Sequence, residues 1–264
     1  MTTNSITEIT FDPAMVRTVS GRRDFLSRLA IATGALTLAP MIKKGRGITS
    51  MLQAQGTTGK TEPNLTDTDI LNYALTLEYL EATFYLRAIS GGTLPSGGVL
   101  ANLDPDGNGM PGTVPGLAGT TFPAPSTVDV TTFFRSVRDH EVTHVLALQT
   151  ALGAAGLSRA AFKFNFGTAY DNATNFKNTA LALEDTGVTA YLGQAANLDV
   201  VATLGTAGSI LGVEAEHAAA VRVLLGLPVT VDNGSFDTAK TTTQVLAVAG
   251  GFITQKPTLP FPKP

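Results

Sequence analysis

Apolar side chains in the stretch "TTFFRSVRDHEVTHVLALQTALG" return every three or four positions. Phe133, Phe134, Val137, Val145, Leu148 and Leu152 line up on one face. The spacing predicts an amphipathic helix from about Ser126 or Thr127 to Gly153. Glu141 and His144 fall on or beside the same stripe, between Val137 and Leu148, where a helix should be packing against oil.

Three other segments carry the helical period. The first is "NLTDTDILNYALTLEYLEATFYLRAIS", with Thr66 and Asp69 spaced as a capping box and Gly91-Gly92 as a stop. The others are "TNFKNTALALEDTGVTAYLGQAAN", about 174–197, and "TAGSILGVEAEHAAAVRVLLG", about 206–226. A short fifth helix is expected in "DTAKTTTQVLAVAGGFI", ahead of a proline-rich tail that should be extended. Residues 91–126, rich in Gly and Pro, read as a long loop inserted between helices one and two. No β-alternation of useful length occurs, so the expected class is all-α. The bundle would occupy 63–226 and a C-terminal extension 227–264.

Composition narrows the possibilities. The 264 residues are 44% hydrophobic and 15% charged with a net charge of −3, and no basic block occurs beyond the N-terminus. Nucleic acid is therefore not an expected partner. The absence of cysteine excludes disulfides, thiolate metal sites and cysteine nucleophiles. The N-terminal stretch "SGRRDFLSRLAIATGALTLAPM" has Arg22-Arg23, Phe25-Leu26 and an apolar run from Leu29 to Met41, too short to span a bilayer. It resembles a twin-arginine export signal, with Gly21 and Ser27 departing from the usual pattern. Residues 1–55 are read as this leader, with Ala39 and Ala54 as alternative cleavage positions, which implies a periplasmic or extracellular protein.

The helices also repeat one another. Glu141-x-x-His144 in the second is matched by Glu214-x-x-His217 in the fourth. Glu78, seven residues before Tyr85, is matched by Glu184, seven before Tyr191. A Glu-x-x-His pair projects both side chains from one helical face, about a turn apart. Two such helices, with one Glu from each of two others, bring four carboxylates and two imidazoles to the centre of a four-helix bundle. Four carboxylates balance two divalent cations, and without metal some would be forced to hold protons. Carboxylate with imidazole suits iron or manganese, and the lack of thiolate argues against structural zinc. An isolated histidine would more often be a satisfied core residue, but here two of only three histidines fit the motif.

Residues from about 66 to 250 resemble a ferritin-like domain of the bacterial and plant desiccation-related type. The stretches that carry the likeness are "LNYALTLEYLEATFYLRA", "DHEVTHVLAL", "ALALEDTGVTAYLGQA" and "SILGVEAEHAAAVRVLLG". The resemblance implies that Glu78 with His144 binds one metal ion and Glu184 with His217 the other. Glu141 and Glu214 would bridge, and Tyr85 and Tyr191 would hydrogen-bond carboxylates. Glu81, one turn from Glu78 on the same face, leaves the first-helix ligand open between the two. His140 and Val213 stand just before the Glu-x-x-His motifs, where related sites often place an acidic residue. The long 91–126 loop replaces a tight turn and opposes packing into a 24-subunit cage, though another oligomer is compatible.

Two further features bear on function. "DPDGNGMPG" offers Asp104, Asp106, Asn108 and Gly109 as the start of a calcium loop, but the twelfth position is Pro115, so it is read as an Asx-rich turn. The ligands are flanked by small residues, Ala82, Thr143, Gly187, Ala215 and Ala218. These would leave room for a diatomic or peroxide-sized molecule, or simply let helices approach closely. Two function classes follow: a di-iron or di-manganese oxidoreductase acting on oxygen, peroxide or metal ions in stress protection, or a non-catalytic envelope protein whose metal site is structural or vestigial.

Overall fold

A computed structural model describes residues 60–89, 103–104 and 114–259. The expected leader, most of the inserted loop with Asp106, Asn108 and Gly109, and the end of the tail lie outside the described residues. Four long helices, α1 (Asp67–Ala88), α2 (Val130–Leu152), α3 (Ala173–Gln194) and α4 (Val201–Leu224), are followed by the short α5 (Thr242–Ala249). None is long and apolar enough to cross a membrane. To the all-α expectation the structure adds one small antiparallel pair, β1 (Lys163–Phe164) with β2 (Ile253–Gln255).

Hydrogen bonds between helix ends fix the relative directions of the helices. Asn72, early in α1, donates to the Ala155 carbonyl and accepts from the Leu157 amide just past the end of α2. Arg138, early in α2, reaches the Ile89 carbonyl at the end of α1 at 2.8 Å. Helices α1 and α2 are therefore antiparallel. Gln194, ending α3, bonds Glu62 just ahead of α1 at 2.6 Å, which makes α1 and α3 antiparallel as well.

The start of α1 carries the expected capping box between Thr66 and Asp69. Other ends differ from the sequence expectation. Helix α2 starts at Val130, not near 126, because residues 120–130 first double back through Phe122 N–H to Val128 O and Val130 N–H to Thr120 O. Asp129 then caps it, accepting from the Thr132 amide at 2.8 Å. Helix α3 is capped by Asn172 and ends at Gln194, three residues short of expectation. Helix α4 begins five residues earlier than expected, at Val201. Its start has no local side-chain cap; Asp67 of α1 accepts from the Asp199 and Val200 amides at 2.8 and 3.0 Å instead.

A cluster of buried aromatic rings fills one end of the bundle. Phe84, Phe134 and Phe176 are fully buried, with ring centroids 5.0 Å apart for Phe84–Phe176 and 4.8 Å for Phe134–Phe176. Burial of this kind stabilises by about 1.5–3 kcal/mol per ring. Toward the opposite end, Leu77, Leu148, Ala190, Tyr191 and Ala207 help line a mostly apolar cavity of about 220 Å³. The carboxylates and histidines lie between these two regions. Asp104, from the inserted loop, is engaged by the Arg87 guanidinium at 2.8 Å.

Candidate metal centre

Each long helix sends one carboxylate to the middle. Glu78 of α1, Glu141 of α2, Glu184 of α3 and Glu214 of α4 are all completely buried, with His144 and His217 beside them. The three-residue spacing works as expected: both members of each Glu-x-x-His pair point inward, and His144 Nδ1 lies 3.1 Å from Glu141 Oε2. The same Nδ1 is 3.3 Å from Glu78 Oε2 and 3.3 Å from Glu214 Oε1. His217 Nδ1 is 3.1 Å from both Glu141 Oε1 and Glu184 Oε2.

Two groups of four can each hold a metal ion, with ligand atoms within 4.8 Å of one another: Glu78, Glu141, His144 and Glu214, and Glu141, Glu184, Glu214 and His217. Glu141 and Glu214 belong to both. Glu81 is buried too but belongs to neither group.

Whether these residues fit metal ions can be tested by asking what satisfies them otherwise. One imidazole Nδ1 carries at most one hydrogen, yet His144 Nδ1 faces three carboxylates, so most of those oxygens go without a donor. Glu78 Oε2, Glu141 Oε1 and Glu214 Oε1 each face an imidazole Nδ1 that also serves other carboxylates, and Glu214 Oε2 lacks a hydrogen-bond partner among the described residues. Buried carboxylate oxygens in that condition are costly unless cations or protons supply the missing charge. The donor set, all oxygen and imidazole nitrogen, suits iron or manganese.

Protonation follows the same logic. Burial is the largest influence on Glu78, Glu81, Glu141 and Glu214. It pushes Glu78 up to about 7 and, joined by the neighbouring Glu214 and Glu141 charges respectively, pushes Glu81 and Glu214 well above the usual carboxylate range. For Glu141 burial is outweighed by hydrogen bonds from His144 and His217, which hold it down at about 2. Burial opposes charge on His217 as well, but Glu184 and Glu141 win and raise it to about 11; His144 is raised by Glu141, Glu214 and Glu78. Without metal, imidazolium protons therefore stand in part where cations would.

The tyrosines cross between helices. Tyr191 of α3 donates to Glu78 Oε1 of α1 at 2.5 Å, and Tyr85 of α1 donates to Glu184 Oε1 of α3. Burial and the adjacent carboxylates raise both phenols well above their ordinary range, so they remain donors. Among the small flanking residues, Gly187 allows a close approach: a Cβ there would meet Glu214 Oε2 at 2.8 Å. Ala82 and Ala218 are buried, Ala215 is half-buried, and Thr143 faces solvent and donates to the Asp139 carbonyl. Asp185, next to Glu184, pairs with Arg222 at 2.5 Å.

One contact was not visible in the sequence. His140 Nδ1 lies 2.9 Å from His217 Nε2, with the two rings stacked at 5.2 Å. Its only sequence signal was that it occupied the place of an expected acid. A sequence profile described as a ferritin-like domain matches residues 66–227, more than half of the chain and all four ligand-bearing helices. The chain belongs to the ferritin-like domain family. No curated protein matches this ferritin-like chain. The family likeness accounts for the four-helix arrangement and agrees with a metal-binding centre, and the chain's own residues give that centre its particular form.

Proposed function

We propose that this ferritin-like protein binds two divalent ions, iron or manganese. Glu78 and His144 hold one, Glu184 and His217 hold the other, and Glu141 and Glu214 are shared. The observation that carries this reading is the pair of overlapping four-residue groups, which share Glu141 and the buried Glu214, whose Oε2 lacks a hydrogen-bond partner among the described residues. When bound, such a pair supplies reversible redox chemistry toward oxygen, peroxide or ferrous iron arriving as substrate. Tyr85 and Tyr191 orient the terminal carboxylates Glu184 and Glu78. Glu81, outside both groups and raised in pKa, holds a proton and so leaves four carboxylate charges for two cations. His144 and His217 release their Nδ1 protons as ligands.

An oxidoreductase role in stress protection is supported by the apolar cavity beside the centre, since Tyr191 both lines it and holds Glu78. Export in the folded state follows from Arg22-Arg23, and it would carry ions already seated. Protein purified from its native compartment should contain close to two iron or manganese ions per chain, and Glu141→Ala with Glu214→Ala should remove both. Loaded protein should then oxidise ferrous iron or consume peroxide faster than free metal, and His144→Ala should lose that advantage. Folded protein indifferent to metal would overturn the proposal. Loading without any rate advantage would leave a structural ion pair.

A further inference from the structure

The two halves of the centre repeat in sequence, but their histidines are held differently. For His217 to offer Nδ1 to a metal ion, that nitrogen must be unprotonated, so Nε2 carries the hydrogen. The atom that faces this Nε2 is His140 Nδ1, at 2.9 Å, which then accepts the hydrogen bond. His140 is exposed, so its own Nε2–H can be satisfied by water. The near-parallel stacking, with 10° between ring planes, restricts rotation of His217 about its side-chain axis. Both constraints come from the residue immediately before Glu141, on the helix opposite His217.

The other half has no counterpart. The residue immediately before Glu214 is Val213, whose side chain has no hydrogen-bonding atom. The ion pairs that His144 makes with Glu78, Glu141 and Glu214 all run through Nδ1. The cavity adds a second asymmetry: Tyr191, which lines it, holds Glu78, and Leu77 and Leu148, which also line it, neighbour Glu78 and His144 along their helices, so it lies nearer the His144 side.

We infer that His140 is a positioning residue that fixes His217, making the Glu184–His217 position the tight metal site and the Glu78–His144 position the exchangeable one beside the cavity. The inference rests on the two-ion reading above. Residues that orient a ligating histidine typically change metal affinity by roughly 10- to 100-fold when removed. A centre with one firmly held ion and one exchangeable ion presents only the second to incoming small molecules.

Anaerobic calorimetric titration of metal-free protein with Mn(II) tests this. Wild type should show two steps of different affinity. His140→Phe, which keeps a ring against His217 but removes the acceptor, should weaken the tighter step by roughly 10- to 100-fold and leave the weaker one unchanged. His140→Asp, which restores an acceptor, should recover the tighter step; a role in packing alone would not produce that rescue. Val213→His should strengthen the weaker step. Two equal steps in wild type, or two unequal steps that His140→Phe does not alter, would overturn the inference while leaving the two-ion reading in place. Wild type that takes up no Mn(II) would overturn both.

Discussion

Helices α1 and α4 bring the same kind of carboxylate to the same centre, yet they are housed in opposite ways. Every residue of α1 from Asn72 to Tyr85 is buried. The connection after α2 covers its outer side: Tyr79 donates to the Leu157 carbonyl, Arg159 to the Thr83 hydroxyl and Tyr170 to the Phe84 carbonyl. Helix α4 buries only Ile210, Glu214, His217, Ala218, Val221 and Arg222, and added side-chain atoms at Gly205, Gly208 and Gly212 would meet nothing. The comparison teaches that the ligand pattern constrains one stripe per helix and leaves the remaining faces free to diverge. It also implies that α4 depends more on the centre for its position, since two of its six buried residues are candidate ligands.

Removing metal is the strongest way to break the comparison. At a thousandfold excess over Kd each bound ion adds about 4 kcal/mol, so complete chelation of two ions should lower Tm by roughly 15–30 °C. Amide exchange should rise more in α4 than in α1; equal rises in both would show that the centre holds the two helices alike. Core truncation should show the reverse bias. Phe84→Ala, in the aromatic end of α1, should cost about 3–5 kcal/mol in denaturant unfolding. Leu204→Ala, on the half-buried start of α4, should cost less than about 2 kcal/mol.

Acidity sharpens the comparison next. Glu78, Glu81 and Glu214 hold protons above their ordinary value of 4.5, and His144 and His217 above 6.5. Where the native state keeps protons that the unfolded chain has lost, stability falls as pH rises. That window opens at 4.5 for the carboxyls and 6.5 for the imidazoles and extends upward to the raised values, about 7 for Glu78 and about 11 for His217. Glu141, lowered to about 2, acts oppositely, but only between 2 and 4.5. Metal-free protein should therefore melt lower at about pH 8 than at about pH 5.5. Loaded protein should show the opposite order, because ions bind the deprotonated ligands. The same order in both forms would mean that the ions do not replace these protons.

The smallest expected effects come from the crossed tyrosines. Tyr85→Phe and Tyr191→Phe each remove one donor from a buried carboxylate, a loss of about 1–3 kcal/mol in the metal-free protein. Metal loading should shrink both losses, which thermal melts of the two forms would measure.

Much of this was legible because helical spacing is local. Glu141 and His144 must share a face once their segment is a helix, and the same holds for Glu214 and His217. The bundle and its ligand stripe could be read from such pairs. What could not be read came from residues distant along the chain. The early start of α4 depends on Asp67, 132 residues before Asp199. The choice between Glu78 and Glu81 depends on which carboxylate meets His144 across the bundle, and the geometry groups Glu78 with it. His140 read as a departure from pattern because its partner, His217, lies 77 residues away. The strands β1 and β2, of two and three residues, are too short to show alternation.

The Asp67 carboxylate has one more consequence. A helix start tied down by its own neighbours can open and close by itself, and its amides exchange with water through small local fluctuations. The Asp199 and Val200 amides are instead bound by a side chain from the beginning of the bundle. To free them, the first turn of α1 must let go of the start of α4. Their exchange should therefore report the contact between the two halves of the domain as well as the local opening of α4, so that two amides serve as a gauge of that contact.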